Sequence, residues 1–172
     1  NNVFYELQDG WSYGYYDKNG NWNSSDWYER AAIVTYDHSL DPYSVNNRET
    51  YQGDIVILDK VSNGGVDYPV VAVGEYAFMR NRSLTSVQLP SSVVYIGYNA
   101  FQECSMLTAV TMPGVVSFDN NQNIFYGTKI TSLVLPKTLK SISSSMFKSL
   151  GDLTSITVDE ANDSYKSVDG VL

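Results

Sequence analysis

The sequence predicts a solenoid of 23-residue coils, mostly β with short helical turns, stacked right-handed and preceded by a small aromatic-rich β cap. Three observations carry this expectation. Apolar residues recur in columns 23 apart, prolines close the strand of successive coils, and residues 1–50 hold no repeat but contain all three tryptophans.

The columns come first, because a missed period misassigns a whole fold. Leu84, Leu107, Ile130 and Leu153 are 23 apart, as are Val87, Val110, Leu133 and Ile156, and Leu89, Met112, Leu135 and Val158. Pro90, Pro113 and Pro136 form a fourth column, which ends at Asp159. The pattern L-x-x-V-x-L-P reads as a short strand whose alternate side chains, such as Val87 and Leu89, point into a core. Proline stops it, having no N–H to give to a neighbouring rung.

A second half-coil follows each proline. Val73, Ile96 and Ile142 stand five residues before Phe78, Phe101 and Phe147. Residues 93–97, V-V-Y-I-G, read as another short extended piece, and residues 98–104, Y-N-A-F-Q-E-C, as one or two helical turns burying Ala100 and Phe101. In the third copy Phe125 takes the aromatic place 12 residues after Pro113 instead of 11, which predicts a bulge over residues 118–125. A coil this small cannot bury its apolar side alone, so coils must stack into one continuous core.

The leading copy, residues 51–72, is degenerate: Ile55, Val56, Ile57 and Leu58 form its strand, and Leu58 replaces the proline. An insertion over residues 62–69 contains Asn63-Gly64-Gly65, a tight-turn signal. Copies then run to residue 158, and residues 159–172 form a partial last one, so the solenoid is expected to span 51–172. The residues Val171-Leu172 read as the opening of another copy, which keeps a stalk within a longer protein among the alternatives.

Residues 1–50 are expected to form the β cap. Residues 13–22 alternate aromatic and polar side chains around Asn19-Gly20, a two-residue hairpin signal, and residues 31–36 read as a further strand. Two roles are open to the cap's aromatics. They could cover the first coil, whose open edge and apolar end would otherwise invite aggregation. Alternatively Trp11, Trp22, Trp27 and Tyr15 could stay exposed as a platform for sugar rings or a protein, since Trp and Tyr join an apolar face to a hydrogen-bonding group.

Composition narrows the function. The formal charge is −8, which argues against electrostatic binding to nucleic acid or an anionic membrane. Acidity is concentrated early, with 11 Asp+Glu against 4 Lys+Arg in residues 1–72 and 8 against 7 thereafter. No apolar run approaches 18 residues and no signal-peptide pattern is present in these residues. The single cysteine, Cys104, excludes an internal disulfide and is expected to be buried.

No catalytic set, phosphate loop or metal-spaced Cys/His group stands out, and no cofactor is expected. His38, the one histidine, reads as a solvated loop residue beside Asp37 and Asp41-Pro42. Asp17, Asn19, Asn21, Asn23 and Asp26 superficially resemble a calcium loop, but the glycine comes at the fourth position, which favours turn chemistry. Asp119 to Asn123 read as a polar bulge, and Asp159-Glu160 as a turn. The candidate contact surface is the outward face of the strands, with Ser86, Ala109, Ser132 and Ser155 in one column and Gln88, Thr111, Val134 and Thr157 in another. A simple solvated face is the plainer alternative.

These copies resemble the BspA-like leucine-rich-repeat family. The stretches that carry the likeness are YQGDIVI (51–57), YPVVAVGEYAF (68–78), LTSVQLPSSVVYIGYNAFQECSMLTAV (84–110) and LTSITVDEANDSYKSVDGVL (153–172), and it covers about seven-tenths of the chain. The resemblance implies a leucine-rich-repeat solenoid from a bacterium, secreted or attached to the cell surface, non-enzymatic, with roles in adhesion or protein binding to a host or matrix partner. It supplies no catalytic residues. Glycan binding through the cap, or a passive stalk within a longer surface protein, are the alternatives.

Overall fold

A computed structural model describes residues 3–17, 19–24, 27–36, 50–119, 123–143, 145–148 and 150–167. His38, Asp26 and the middle of the Asp119 to Asn123 stretch lie outside the described residues. The strands are β1 (Phe4–Trp11), β2 (Gly14–Tyr16), β3 (Trp22–Ser24), β4 (Tyr28–Thr35), β5 (Gly53–Val56), β6 (Lys60–Asn63) and β7 (Val66–Val73). They continue with β8 (Leu84–Gln88), β9 (Tyr95–Ile96), β10 (Ala109–Thr111), β11 (Ser117–Phe118), β12 (Ser132–Leu135) and β13 (Ser155–Val158).

Each coil gives one strand to each of two walls. The L-x-x-V-x-L strands form the first, where β5, β8 and β10 pair in parallel with Ile55, Val87 and Val110 in register, and β12 pairs with β13 through Leu133 and Ile156. The V-x-Y-I-G strands form the second, in the order β1-β4-β7-β9-β11. Between the walls lies one core that includes Ile55, Val87, Leu89, Ile96, Leu133 and Leu135.

At its centre runs a stack of rings. Phe78 and Phe101 lie 5.1 Å apart at 4°, and Phe101 and Phe125 5.5 Å apart at 10°. Tyr51 closes the stack against Phe78 at 4.9 Å. Its hydroxyl donates to the Thr35 carbonyl at 2.8 Å and accepts from the Phe4 N–H at 3.1 Å, which ties the first coil to β1 and β4. In the next coil Met146 is fully buried while Phe147 packs half-buried against the core, because the segment there is α1 (Ser145–Lys148).

The expected helical turns at residues 98–104 are instead a chain of β-turns, matched one coil earlier. The N–H groups of Tyr76, Phe78 and Arg80 donate across the coil boundary to the carbonyls of Tyr98, Ala100 and Gln102, while that of Met79 donates to Tyr76 within its own coil. An α-helix would need all of these N–H groups for itself. Tyr76, Arg80, Asn99 and Glu103 take φ values from 51° to 63°, a left-handed conformation incompatible with continued helix.

Side chains repeat the same arithmetic. Arg80 pairs with Glu103, Lys129 with Asp152 and Lys140 with Asp163, each 23 residues on. The hydroxyls of Thr108 and Thr154 donate to the carbonyls of Thr85 and Thr131 at the same spacing. Neighbouring coils are thus bonded to one another along much of their circumference.

The third coil departs from this order. Ser117 and Phe118 pair with Tyr95 and Ile96, only 22 residues back, because one residue fewer lies between Pro113 and the strand. Correspondingly β10 and β12 share no ladder, so the expected continuous outward columns split into two pairs, Ser86 with Ala109 and Ser132 with Ser155.

At the N-terminal end β4 pairs in parallel with β7, and β1 antiparallel with β4, so the second wall gains two strands beyond the first coil. Val3, Tyr5 and Leu7 pack on the core. The insertion forms a hairpin, β6 on β7, turning at Gly64-Gly65, with Asp67 taking Lys60 at 2.6 Å and the Ser62 hydroxyl. Between β2 and β3 the expected two-residue turn is a longer loop over residues 17–21: the Asp17 N–H donates to the Asn21 carbonyl, and the N–H of Gly20, at φ 80°, donates to the Asp17 carbonyl. The Asp17 side chain organises that loop, so the strands cannot close any tighter.

Candidate functional site

Where the ladder between β10 and β12 fails, the strand face holds a groove of about 410 Å³ lined by Val110, Thr111, Met112, Pro113, Val134 and Pro136, with Lys137 and Asp159 at its rim. Val134 is 64% exposed there. Thr111 and Val134 were expected to face outward. Met112, Pro113 and Pro136 were not singled out, because their columns read as core and strand stop.

Around the groove the face is small and polar. Gln88, Ser132 and Thr157 are exposed, whereas Ser86 and Ser155 are half-buried. Ser86 is already engaged: Asp54 accepts from the hydroxyls of Ser86 at 2.6 Å and Thr85 at 2.8 Å, which hold its carboxyl below the usual range.

The four cap aromatics separate. Trp11 and Tyr28 cover the outer face of the second wall, over Ala31, Ile33, Val71 and Ala72. Trp11 lies 5.6 Å from Tyr13, 5.8 Å from Tyr28 and 6.4 Å from Tyr95, and Tyr15 stacks on Tyr13 at 6.2 Å. By contrast Trp22 and Trp27 are 61% and 68% exposed. The Trp22 indole lies on the backbone of Gly14, where a methyl group would come within 2.0 Å of the ring, and its edge meets Tyr16 at 4.9 Å. Only glycine leaves space for the indole to lie this close to the strand.

Next to Trp11 the second wall carries a cleft of about 380 Å³ with Ile33, Ala72 and Val73 among its liners, together with Tyr36, Tyr76, Tyr95, Glu6 and Glu75. Tyr95 donates to Asp119 at 3.2 Å; burial first, and then the Asp119 charge and bond, hold its phenol well above the usual range. Its outward position was legible from alternation with Ile96. Its neighbours across the wall were not.

The turn candidates behave as turn chemistry requires. Asp17 Oδ1 accepts from the N–H groups of Asn19 and Asn21, each at 2.9 Å, and Oδ2 from the Asn21 amide at 3.2 Å. The Asn21 N–H leads in lowering its pKa. Asp159 likewise forms a turn, its carboxylate accepting from the Ala161 N–H at 2.9 Å and its carbonyl from Asn162 at 2.8 Å.

Cys104 is fully buried, and its thiol donates to the Phe78 carbonyl at 2.9 Å. Burial pushes the thiol from an ordinary 9.0 up to about 12. As pH rises the unfolded chain therefore loses this proton first. The contribution of Cys104 is intact below pH 9.0 and is lost towards pH 12. Stability of the wild type is expected to fall more steeply across that window than that of Cys104→Ala, and the native thiol is expected to resist iodoacetamide at neutral pH. Alkylation of the folded chain at the rate of a free thiol would contradict the burial.

Stacked coils joined edge to edge around one apolar core define a solenoid repeat protein. The profile of the BspA type Leucine rich repeat region, in 6 copies, matches residues 67–168. The chain belongs to the BspA-type leucine-rich-repeat family. A leucine-rich repeat protein from Bacteroides capillosus is 23% identical, with a TM-score of 0.60 over 75% of this chain and 87% of its own. The T. pallidum leucine rich repeat protein is 24% identical over 73% of this chain and 63% of its own, TM-score 0.48. A leucine rich cell surface protein from Faecalibacterium prausnitzii is 20% identical over 81% and 53%, TM-score 0.34. The Bacteroides likeness supports the fold alone. Comparison with curated proteins gives no match. Among the described residues no helix is long and apolar enough to cross a membrane.

Proposed function

We propose that the chain is a non-enzymatic binding module of a secreted or cell-surface protein, with residues 1–50 capping a solenoid of residues 51–172 and the strand face taking a protein partner. The observation that carries the reading is the groove between β10 and β12. Across a face of serine, threonine and glutamine it offers one apolar recess, with Val134, Val110 and Pro113 in its wall. An apolar recess with polar neighbours, Lys137 and Asp159 among them, suits an apolar anchor side chain of a partner, with the rim excluding water.

The test is a binding screen against matrix and host-surface proteins using wild type, Val134→Lys and Gln88→Ala. Placing a charge in the recess is expected to weaken capture at least about tenfold, from burying an unpaired charge, while the rim change costs little. A captured protein that binds Val134→Lys as tightly as wild type would remove the strand face from consideration.

A second reading, glycan binding by the cap, is favoured by the two exposed indoles, Trp22 and Trp27. It predicts that added polysaccharide changes tryptophan fluorescence and that Trp22→Ala or Trp27→Ala abolishes the change without unfolding the coils. An unaltered spectrum across a panel of neutral and acidic polysaccharides would argue against it.

A further inference from the structure

We propose that the cleft beside Trp11 on the second wall is a receptor for a cationic side chain, lysine or arginine, of a protein partner. Its volume of about 380 Å³ is at the small end of ligand clefts, which run from roughly 300 to 1,000 Å³. Its lining combines the three things such a group needs.

The first is an apolar surface for the aliphatic stem, given by Ile33, Ala72 and Val73. The second is aromatic: Trp11, Tyr36, Tyr76 and Tyr95 border the same space, and ring faces attract cations through their quadrupoles. Two of these rings, Trp11 and Tyr95, are held in advance. Trp11 and Tyr13 both pack on Tyr95, at 6.4 Å and 5.9 Å, and the Tyr95 hydroxyl is fixed on Asp119. Little order is therefore lost on binding.

The third is charge. Glu6 on β1 and Glu75 just after β7 both line the cleft, and among the described residues no lysine, arginine or histidine does. The Gln8 amide donates to Glu6 at 2.8 Å, but neither carboxylate takes part in an ion pair among the described residues. Lysines and arginines elsewhere pair with Asp67, Glu103, Asp152 and Asp163. A neutral sugar would gain hydrogen bonds to the carboxylates but no net charge attraction, and an anion would be repelled. The excess of acid over base in residues 1–72 adds a field of the same sign, which draws a cation in.

The cleft lies on a different wall from Val134, so the two surfaces can fail independently. The probes are acetyl-Gly-Lys-Gly-amide and acetyl-Gly-Arg-Gly-amide against the neutral acetyl-Gly-norleucine-Gly-amide, titrated by calorimetry into the full 172-residue chain at low salt. The cationic peptides are expected to bind about tenfold more tightly than the neutral one, and less so as salt is added. Both glutamates are exposed or at the cleft rim, so Glu6→Gln with Glu75→Gln should fold as wild type by circular dichroism and lose that preference. Val134→Lys should leave it unchanged. Equal binding of the neutral peptide, no binding of any peptide, or an unaltered preference in the double glutamine variant would each overturn the proposal. So would a neutral oligosaccharide that displaces the lysine peptide and binds the glutamine variant equally well.

Discussion

Phe101→Ala is expected to destabilise the chain by about 3–5 kcal/mol, the cost of deleting a fully buried aromatic ring. Phe101 is the middle of three stacked rings and contacts Phe78 on one side and Phe125 on the other. Removing it leaves a cavity facing two coil boundaries at once. In a solenoid each coil is held chiefly by its neighbours, so one vacancy weakens two interfaces. Collapse cannot heal it, because the backbone hydrogen bonds from Phe78 to Ala100 and from Phe101 to Ile124 hold the coils at their spacing. Half-buried Phe147 is the control, and Phe147→Ala should cost clearly less. Urea unfolding midpoints measure both, and a loss below about 1 kcal/mol for Phe101→Ala would mean that the stack is not the spine of the core.

Gly114→Ala should be the most damaging single-methyl addition in the repeats. The added carbon would lie 2.0 Å from the Ser91 carbonyl oxygen, 2.7 Å from its carbon and 2.9 Å from the Val93 oxygen. These are backbone atoms of the preceding coil, so no rotamer change relieves the contact. Overpacking commonly costs about 1–3 kcal/mol, and a clash with fixed backbone belongs at or above the top of that range. Gly151→Ala is the comparison: nothing lies within 4 Å of its added methyl, and it should be close to neutral. Thermal denaturation of the two variants decides the matter, and equal melting temperatures would show that the third coil is free to move away from the second.

Gly114 also explains how far the sequence could be read. The altered spacing from Pro113 to Phe125 announces a distorted third copy. It does not say that the missing residue lies before the strand, or that the strain appears as a lost ladder between β10 and β12. A similar limit applies to residues 98–104, whose composition suits a helix. The carbonyls that capture the Phe101 and Glu103 N–H groups, those of Ile124 and Tyr126, belong to the next coil, and a window of seven residues contains no trace of them. The cap shows the limit again. Trp11 and Trp22 are equally aromatic in sequence, yet Tyr95, more than eighty residues from Trp11 along the chain, helps to cover one of them, while Trp22 stays open.

The apolar columns and the prolines determine the coil, its two strands and the burial of Phe101 and Cys104, because each is a pattern of period 2 or 23 written along a single chain. The tertiary structure alone decided where that order breaks, which indoles face water, and that Glu6, Trp11, Glu75 and Tyr95 border one cleft. Those outcomes depend on which backbone groups and side chains meet across coils. Such meetings are settled by packing and competition for hydrogen bonds, which local periodicity does not encode.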